Sequence, residues 1–204
     1  MKHLIIAIFS LLIISSCNED DEGLRVQSHD DNEMMSIMHL MSAQMSAMQM
    51  TGDADHDFAS MMKMHHQGAI NMANKELENG DDATIRSIAQ NIITMQQQEI
   101  TKLNDFLAAH TAVASAEGQA WDNEAMMSMD RMDKNADLEV LTGDADHDIA
   151  ILMVNHHQSA MDMAQSLLHH GHHDGQKEMA TKMIDDQSSE IEKLQTWLLQ
   201  NKNY

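Results

Sequence analysis

Two stretches of this chain carry side chains that could do chemistry together: Met62-x-x-His65-His66 with Met72 beyond it, and Met153-x-x-His156-His157 with Met163 beyond it. On a helix, a methionine three or four residues before a histidine pair lies one turn away on the same face, and Met72 lies two turns past His65. One rigid element can therefore bring imidazole nitrogen and thioether sulfur to a single ion. Thioether sulfur is a soft donor matched to Cu(I), and imidazole suits copper, zinc, iron and nickel. Met61 and Met64 stand beside the first set as further donors. A single inward histidine is more often a core residue with satisfied nitrogens. Two in succession, flanked by methionine and occurring twice, favour ligation.

Other residues leave two readings open. Met34, Met38, Met41, Met45 and Met48 fall on one helical seam, with Met35 and His39 beside it. Such a stripe is either core or a row of donors, Met38 and Met41 among them, and no Leu or Ile shares the seam to supply more specific packing. Gln96-x-x-Glu99 and Gln187-x-x-Glu190 set an amide and a carboxylate inside apolar stripes. A buried carboxylate needs a partner, so these either hold the second nitrogen of His65 or His156 or tie helices together in a hydrogen-bond network. Asp53-x-Asp55-x-Asp57 opens like a calcium loop but lacks the following Gly and the distal Glu, which makes helix capping the better account. His169, His170, His172 and His173 surround Gly171 and are either a capture site for Cu(II), nickel or zinc or a polar turn.

The elements that must position these residues come in two copies. Thr51-Gly52-Asp53-Ala54-Asp55-His56-Asp57 returns unchanged at Thr142 to Asp148, and the same offset of 91 residues joins Met72 to Met163, Gln96 to Gln187 and Glu99 to Glu190. One unit spans about 32–109 and the other about 123–200, joined by a linker over 110–122. The chain has no Pro, and its 8 Gly fall mostly near expected element ends, so an all-α protein follows. Each unit predicts a short helix (about 32–50 and 122–141), a long one (about 55–78 and 146–170) and a third (about 83–109 and 175–201), with Asp55 and Asp146 as N-caps of the long helices. Phe58, Met62, His65, Ala69, Met72 and Glu76 form the inward stripe of the first long helix, and Ile149, Met153, His156, Ala160, Met163 and Leu167 that of the second. Neither hairpin encloses its stripe alone. The two units, or two chains of a homodimer, should pair into a four-helix bundle with the short helices alongside.

The N-terminus reads as a bacterial lipoprotein leader. Residues 1–16 hold one cation and an apolar run too short to span a bilayer, and Ile14-Ser15-Ser16-Cys17 resembles a lipobox, which implies a lipid on Cys17. Residues 17–31 form an acidic tether. Removal of the leader leaves 11 Lys and Arg against 33 Asp and Glu, a formal charge of −22, which repels nucleic acid and anionic lipid and attracts cations. The composition of 22 Met against 6 aromatic residues exceeds what ordinary packing requires.

Asp57-Phe58-Ala59-x-x-Met62-x-x-His65-His66-Gln67-x-Ala69-x-x-Met72-Ala73, followed by Ile92-Ile93-x-x-Gln96-x-x-Glu99-Ile100, resembles the domain-of-unknown-function family three hundred and five, in two copies. The resemblance implies a ferritin-like helical bundle in the bacterial envelope and, for the CopM-type members, copper binding and tolerance. Carried over by position, the family pattern falls on Met62, His65, His66 and Met72 and on Met153, His156, His157 and Met163. Family members often have Pro just before the His pair, whereas Met64 and Asn155 stand there in this chain. The expectation is a non-enzymatic envelope lipoprotein that buffers copper, chiefly Cu(I), or passes it to an efflux partner. A ferritin-like di-iron or di-manganese oxidase is the main alternative, but Glu-x-x-His, which that class needs, does not occur. A structural lipoprotein without metal is the other.

Overall fold

The computed structural model describes residues 26–201, so the leader, Cys17 and most of the acidic tether lie outside the described residues. Six helices follow a short 3-10 turn at His29–Asp31: α1 Glu33–Ser46, α2 Ala54–Asn79, α3 Ala83–Ala109, α4 Ala116–Ala136, α5 Ala145–His170 and α6 Asp174–Gln200. There is no strand among the described residues. The protein is an all-α helical bundle of repeated helical units.

Helices α2 and α5 form the centre and run antiparallel. The start of α2 lies at the end of α5, where Asp55 Oδ2 accepts from the backbone N–H groups of His172 and His173 at 2.7 and 3.1 Å. In the mirror arrangement Asp146 accepts from Asp81 and Asp82. Each long helix thus steadies the turn that opens the opposite unit's third helix. Helix α3 packs on α2, α6 on α5, α4 on α5 and α2, and α1 on α2, α4 and α5. The expected inward stripes are buried in full, but so are Met61, His66 and Ile70 on the other side of α2. A helix with neighbours on several sides has no solvent face at its middle. By contrast α3 buries one face only, from Ile85 through Ile92 and Gln96 to Leu103.

Three local expectations are corrected. The N-caps of α2 and α5 are Asp53 and Asp144, which accept from His56 and His147 N–H at 3.0 and 2.9 Å, and not Asp55 and Asp146. The third acid of each motif folds the approach to the helix. Asp57 accepts from Thr51 N–H, Thr51 Oγ1–H and Gly52 N–H, and Asp148 repeats the pattern with Thr142 and Gly143. Gly52 and Gly143 turn there with φ of 77° and 78°, a left-handed conformation that side chains resist. Helix α4 begins at Ala116 rather than near 122, because Ser115 caps it by accepting from Gly118 N–H at 2.9 Å, so the non-helical link is 110–115. Helix α1 stops at Ser46, leaving Met48 beyond it.

Short helices α1 and α4 are fastened to the centre by unlike contacts. Trp121 of α4 meets Phe58 of α2 edge-on, with ring centroids 6.0 Å apart, and donates its Nε1–H to Met163 O of α5 at 3.2 Å. Asn32, the N-cap of α1, donates to Asp148 Oδ2 at 2.7 Å, whereas Asp57, the equivalent of Asp148, is met by another carboxyl group, Asp122 of α4. Burial first, and then the charge of Asp57, pushes Asp122 up to about 6.

A second carboxyl pair joins the end of α2 to the start of α5. Burial raises Glu76 to about 8, and Asp146 adds to the rise as hydrogen-bond partner and as like charge, against a smaller opposing pull from Arg86. The folded protein holds this proton over a range in which the unfolded chain has released it. Its stabilising contribution is complete below about 4.5, is lost as pH rises, and is gone above about 8. The other unit has Leu167 at the equivalent position. Glu76→Leu is therefore expected to raise unfolding free energy at pH 8.5 by about 1–2 kcal/mol and to raise it less at pH 5. Urea denaturation at the two pH values measures this, and an equal change at both would refute the raised protonation of Glu76.

Candidate functional site

Four histidines meet where α2 and α5 cross. His65, His66, His156 and His157 are all fully buried. His65 and His156, equivalent under the 91-residue offset, lie face to face with ring centroids 3.7 Å apart and planes inclined by 39°. Ala69 and Ala160, one turn on and fully buried, are small enough to let the helices approach there. His156 Nε2 lies 3.1 Å from His65 backbone O, which can only accept, so that nitrogen carries the hydrogen and Nδ1 keeps its lone pair without a partner. His65 has no hydrogen-bond partner at either nitrogen. Desolvation above all, and then the neighbouring imidazoles, hold His65 and His156 well below the usual histidine range. Both are neutral near pH 7, the form in which imidazole binds a metal.

The outer pair is tied to α3 and α6. His66 Nε2 donates to Glu99 Oε2 at 2.8 Å, and His66 Nδ1 has no partner. His157 Nε2 lies 2.9 Å from Glu190 Oε2, but off the line of a hydrogen bond. The two carboxylates thus reach His66 and His157, not His65 and His156 as the sequence suggested. Residues 65 and 66 are separated by a 100° rotation about the helix. The third helix of each unit packs on the side from which the second histidine emerges, while the first faces the opposite long helix. Gln96 and Gln187, one turn before these carboxylates, are each 3% exposed, and no partner reaches either polar atom.

Outside this layer, α3 and α6 part to leave a groove of about 330 Å³. Gln96 and Glu99 line it from one side and Gln187 and Glu190 from the other, with Asp185 and Asp186 at its edge. The duplicated Gln-x-x-Glu was the signal for it. Periodicity showed these residues to be inward but could not show that their two helices stand apart.

The methionines are brought into the same core. Met38, Met61, Met62, Met72, Met153 and Met163 are buried, and Met64 is half-buried. Met41 Sδ lies against the bare backbone of Gly68 on α2, and in the other unit Ser159 Oγ donates to Met129 Sδ at 3.6 Å. The first sulfur fills the notch left by Gly68 and the second accepts from a buried hydroxyl, both structural roles. Among the described residues, no three His, Cys, Asp or Glu side chains are grouped so as to hold a metal. A ligand set at the crossing therefore has to include thioether sulfur or follow a turn of an imidazole ring.

The His-rich turn is not gathered into one site. His169 and His172 are exposed, and His170 Nε2 lies 3.4 Å from Glu124 Oε1. His173 caps α6, its Nδ1 accepting from Gln176 N–H at 3.3 Å. Its ring stands edge-on to Phe106, which stacks on His110, and His110 pairs with Asp53 at 2.9 Å. Sequence reasoning did not find this second meeting of histidines.

A family model described as Domain of unknown function (DUF305) matches residues 15–107 and again 55–198. The chain belongs to the DUF305 family. A DUF305 protein from Streptomyces coelicolor, inferred to be secreted, has 25% sequence identity and a TM-score of 0.58, covering 73% of this chain and 94% of its own. A DUF305 fragment from Deinococcus radiodurans has 20% identity and a TM-score of 0.53, covering 72% of this chain and 96% of its own, a likeness of fold. No curated protein matches. No helix among the described residues is long and apolar enough to cross a membrane.

The depressed basicity of His65 and His156 has a measurable effect on the apo-protein. Below about pH 6.5 the unfolded chain takes up protons that these folded imidazoles refuse, so acidification destabilises the fold through them. The double substitution His65→Phe and His156→Phe is expected to flatten the fall in stability between pH 7 and pH 5. Chemical denaturation of both proteins at each pH would show it. An unchanged slope would mean that these rings are protonated in the fold.

Proposed function

We propose that this protein binds and buffers copper, chiefly Cu(I), on the imidazoles at the crossing of α2 and α5 together with thioethers of the same two helices. The observation that carries the reading is the set of buried imidazole nitrogens without hydrogen-bond partners, on His65, His66, His156 and His157. A buried polar atom left unpaired costs about 1–3 kcal/mol. A ligated ion would offset that cost at several atoms at once. The donor set is neutral nitrogen plus sulfur, which suits a soft monovalent cation. Met62 and Met153, fully buried and one turn before the histidines, are the nearest sulfurs by helical spacing, with Met72 and Met163 beyond.

Binding would not require a reaction, and the protein would hold the metal or yield it to an export partner. One observation favours the rival oxidase: His66 with Glu99 and His157 with Glu190 are nitrogen–oxygen pairs that harder divalent ions accept. Titration with Cu(I), Cu(II), Zn(II) and Fe(II) in competition with chelators separates the readings. Cu(I) should bind most tightly, and replacing His65, His66, His156 and His157 should remove most of it. Acid should release copper from the histidine-containing sites only well below the usual histidine range, where His65 and His156 first take up protons, and should spare methionine-only ones, because thioether does not titrate. Tight Fe(II) binding with oxygen consumption would overturn the copper reading in favour of the oxidase.

The chain would work in the envelope, held by lipid on Cys17 at the end of the acidic tether. Cys17→Ser should move the protein from the membrane fraction to the soluble fraction and abolish labelling by a fatty-acid probe. Retention in the membrane fraction would exclude this anchor.

A further inference from the structure

We infer that the groove between α3 and α6 is the route by which the cation reaches the buried histidines, and that the Gln96–Glu99 and Gln187–Glu190 pairs are its first binding station. This rests on the copper reading and adds a path to it. The four imidazoles have no surface of their own, so an ion must cross a layer of protein to meet them. The groove is lined by the residues that touch the outer pair: Glu99, bonded to His66, and Glu190, beside His157. It lies where the two third helices face each other across the pseudo-two-fold axis, so one opening serves both units.

Gln96 and Gln187 make the groove floor more than an acidic patch. Each is nine-tenths buried or more and lines the groove, and both its amide oxygen and its amide nitrogen have no partner. Amide and carboxylate oxygens bind a partly hydrated cation but hold Cu(I) weakly, since soft ions prefer sulfur and imidazole. Weak oxygen ligands outside and stronger nitrogen and sulfur ligands inside form a gradient down which the ion moves. Asp185, Asp186, Glu99 and Glu190 outweigh the two cations beside them, Lys193 on the lining and Lys182 paired with Asp186, and the net negative charge raises the local cation concentration. At the inner end, the ion would have to take the unpartnered Nδ1 of His66 or disturb the bond from Nε2 to Glu99.

Obstruction of the groove, away from the ligands, tests this. Thr94 and Ser189 are exposed wall residues on α3 and α6, so Thr94→Trp with Ser189→Trp narrows the opening without touching the histidines. Gln96→Leu with Gln187→Leu removes the inner amides. Full-chain protein loaded with Cu(I) under anaerobic conditions is challenged with excess bicinchoninate, and the coloured chelate is followed in time. Equilibrium affinity is measured separately, and circular dichroism verifies the fold. The wall variant should keep the wild-type affinity and release copper about tenfold more slowly, because a barrier on the path slows binding and release alike. The amide variant should also slow release, and Asp185→Asn with Asp186→Asn should lower the uptake rate and its dependence on salt. Equal rates in wild type and all three variants would overturn the route while leaving copper binding intact. Failure of the wild type to bind Cu(I) would overturn the copper reading, and the route with it.

Discussion

The structure depends on the burial of imidazole. Four histidines lie without solvent contact where two long helices cross, and neutral imidazole in a dry interior must find partners or be held in place by everything around it. Face-to-face contact of His65 and His156 at 3.7 Å sets how close α2 and α5 come. Small residues, Ala69 and Ala160, permit that approach. One helical turn is about 5.4 Å, so a slip of that size would replace ring against ring with ring against methionine or alanine. The axial register of the two helices is therefore part of the site, and the contacts that fix it lie at the far ends of the helices.

Those end contacts are made by the most strongly repeated segment of the chain. Within Thr51 to Asp57 and its identical copy, the first acid caps its own helix, the second reaches across to the opposite unit, and the third folds the preceding loop. Three carboxylates two residues apart thus do three different jobs. Each works on backbone N–H groups, which a short carboxylate reaches at that distance and, at a helix start, complements with its charge. The longest unbroken repeat belongs to the scaffold, while the candidate ligands recur as separate positions within a more varied helix. The ligand-bearing segment differs between copies, with Met64 against Asn155 and Gly68 against Ser159.

Much of the fold was legible because helical periodicity and the 91-residue repeat are strong signals, and α2, α3, α5 and α6 lie within a residue or so of their expected ends. The burial of Met62, His65 and Met72 followed from spacing alone. Two things could not be read. Capping depends on which of three acids adopts an extended conformation, and Asp53, Asp55 and Asp57 look alike in sequence. Pairing across helices was the other. The inward placement of Glu99 was clear, but whether it met His65 or His66 turned on the side from which α3 approaches α2, which a single helix does not encode. The groove is of the same kind, since it exists only because α3 and α6 pack on different central helices.

The likeness of the two units stops short of symmetry at the site itself. His156 donates to the backbone of His65, while His65 has no such partner in return. His66 is in line with its glutamate, and His157 is not. Burial and the neighbouring Asp146 push Glu76 up to about 8, where the other unit sets Leu167 beside Asp55. Two identical subunits on an exact two-fold axis would give both rings the same surroundings, whereas a duplicated chain is free to set them differently. The fusion of the copies in one chain gives each histidine its own environment, so that the rings with neither nitrogen hydrogen-bonded, His65 and His157, come from non-equivalent positions of the repeat.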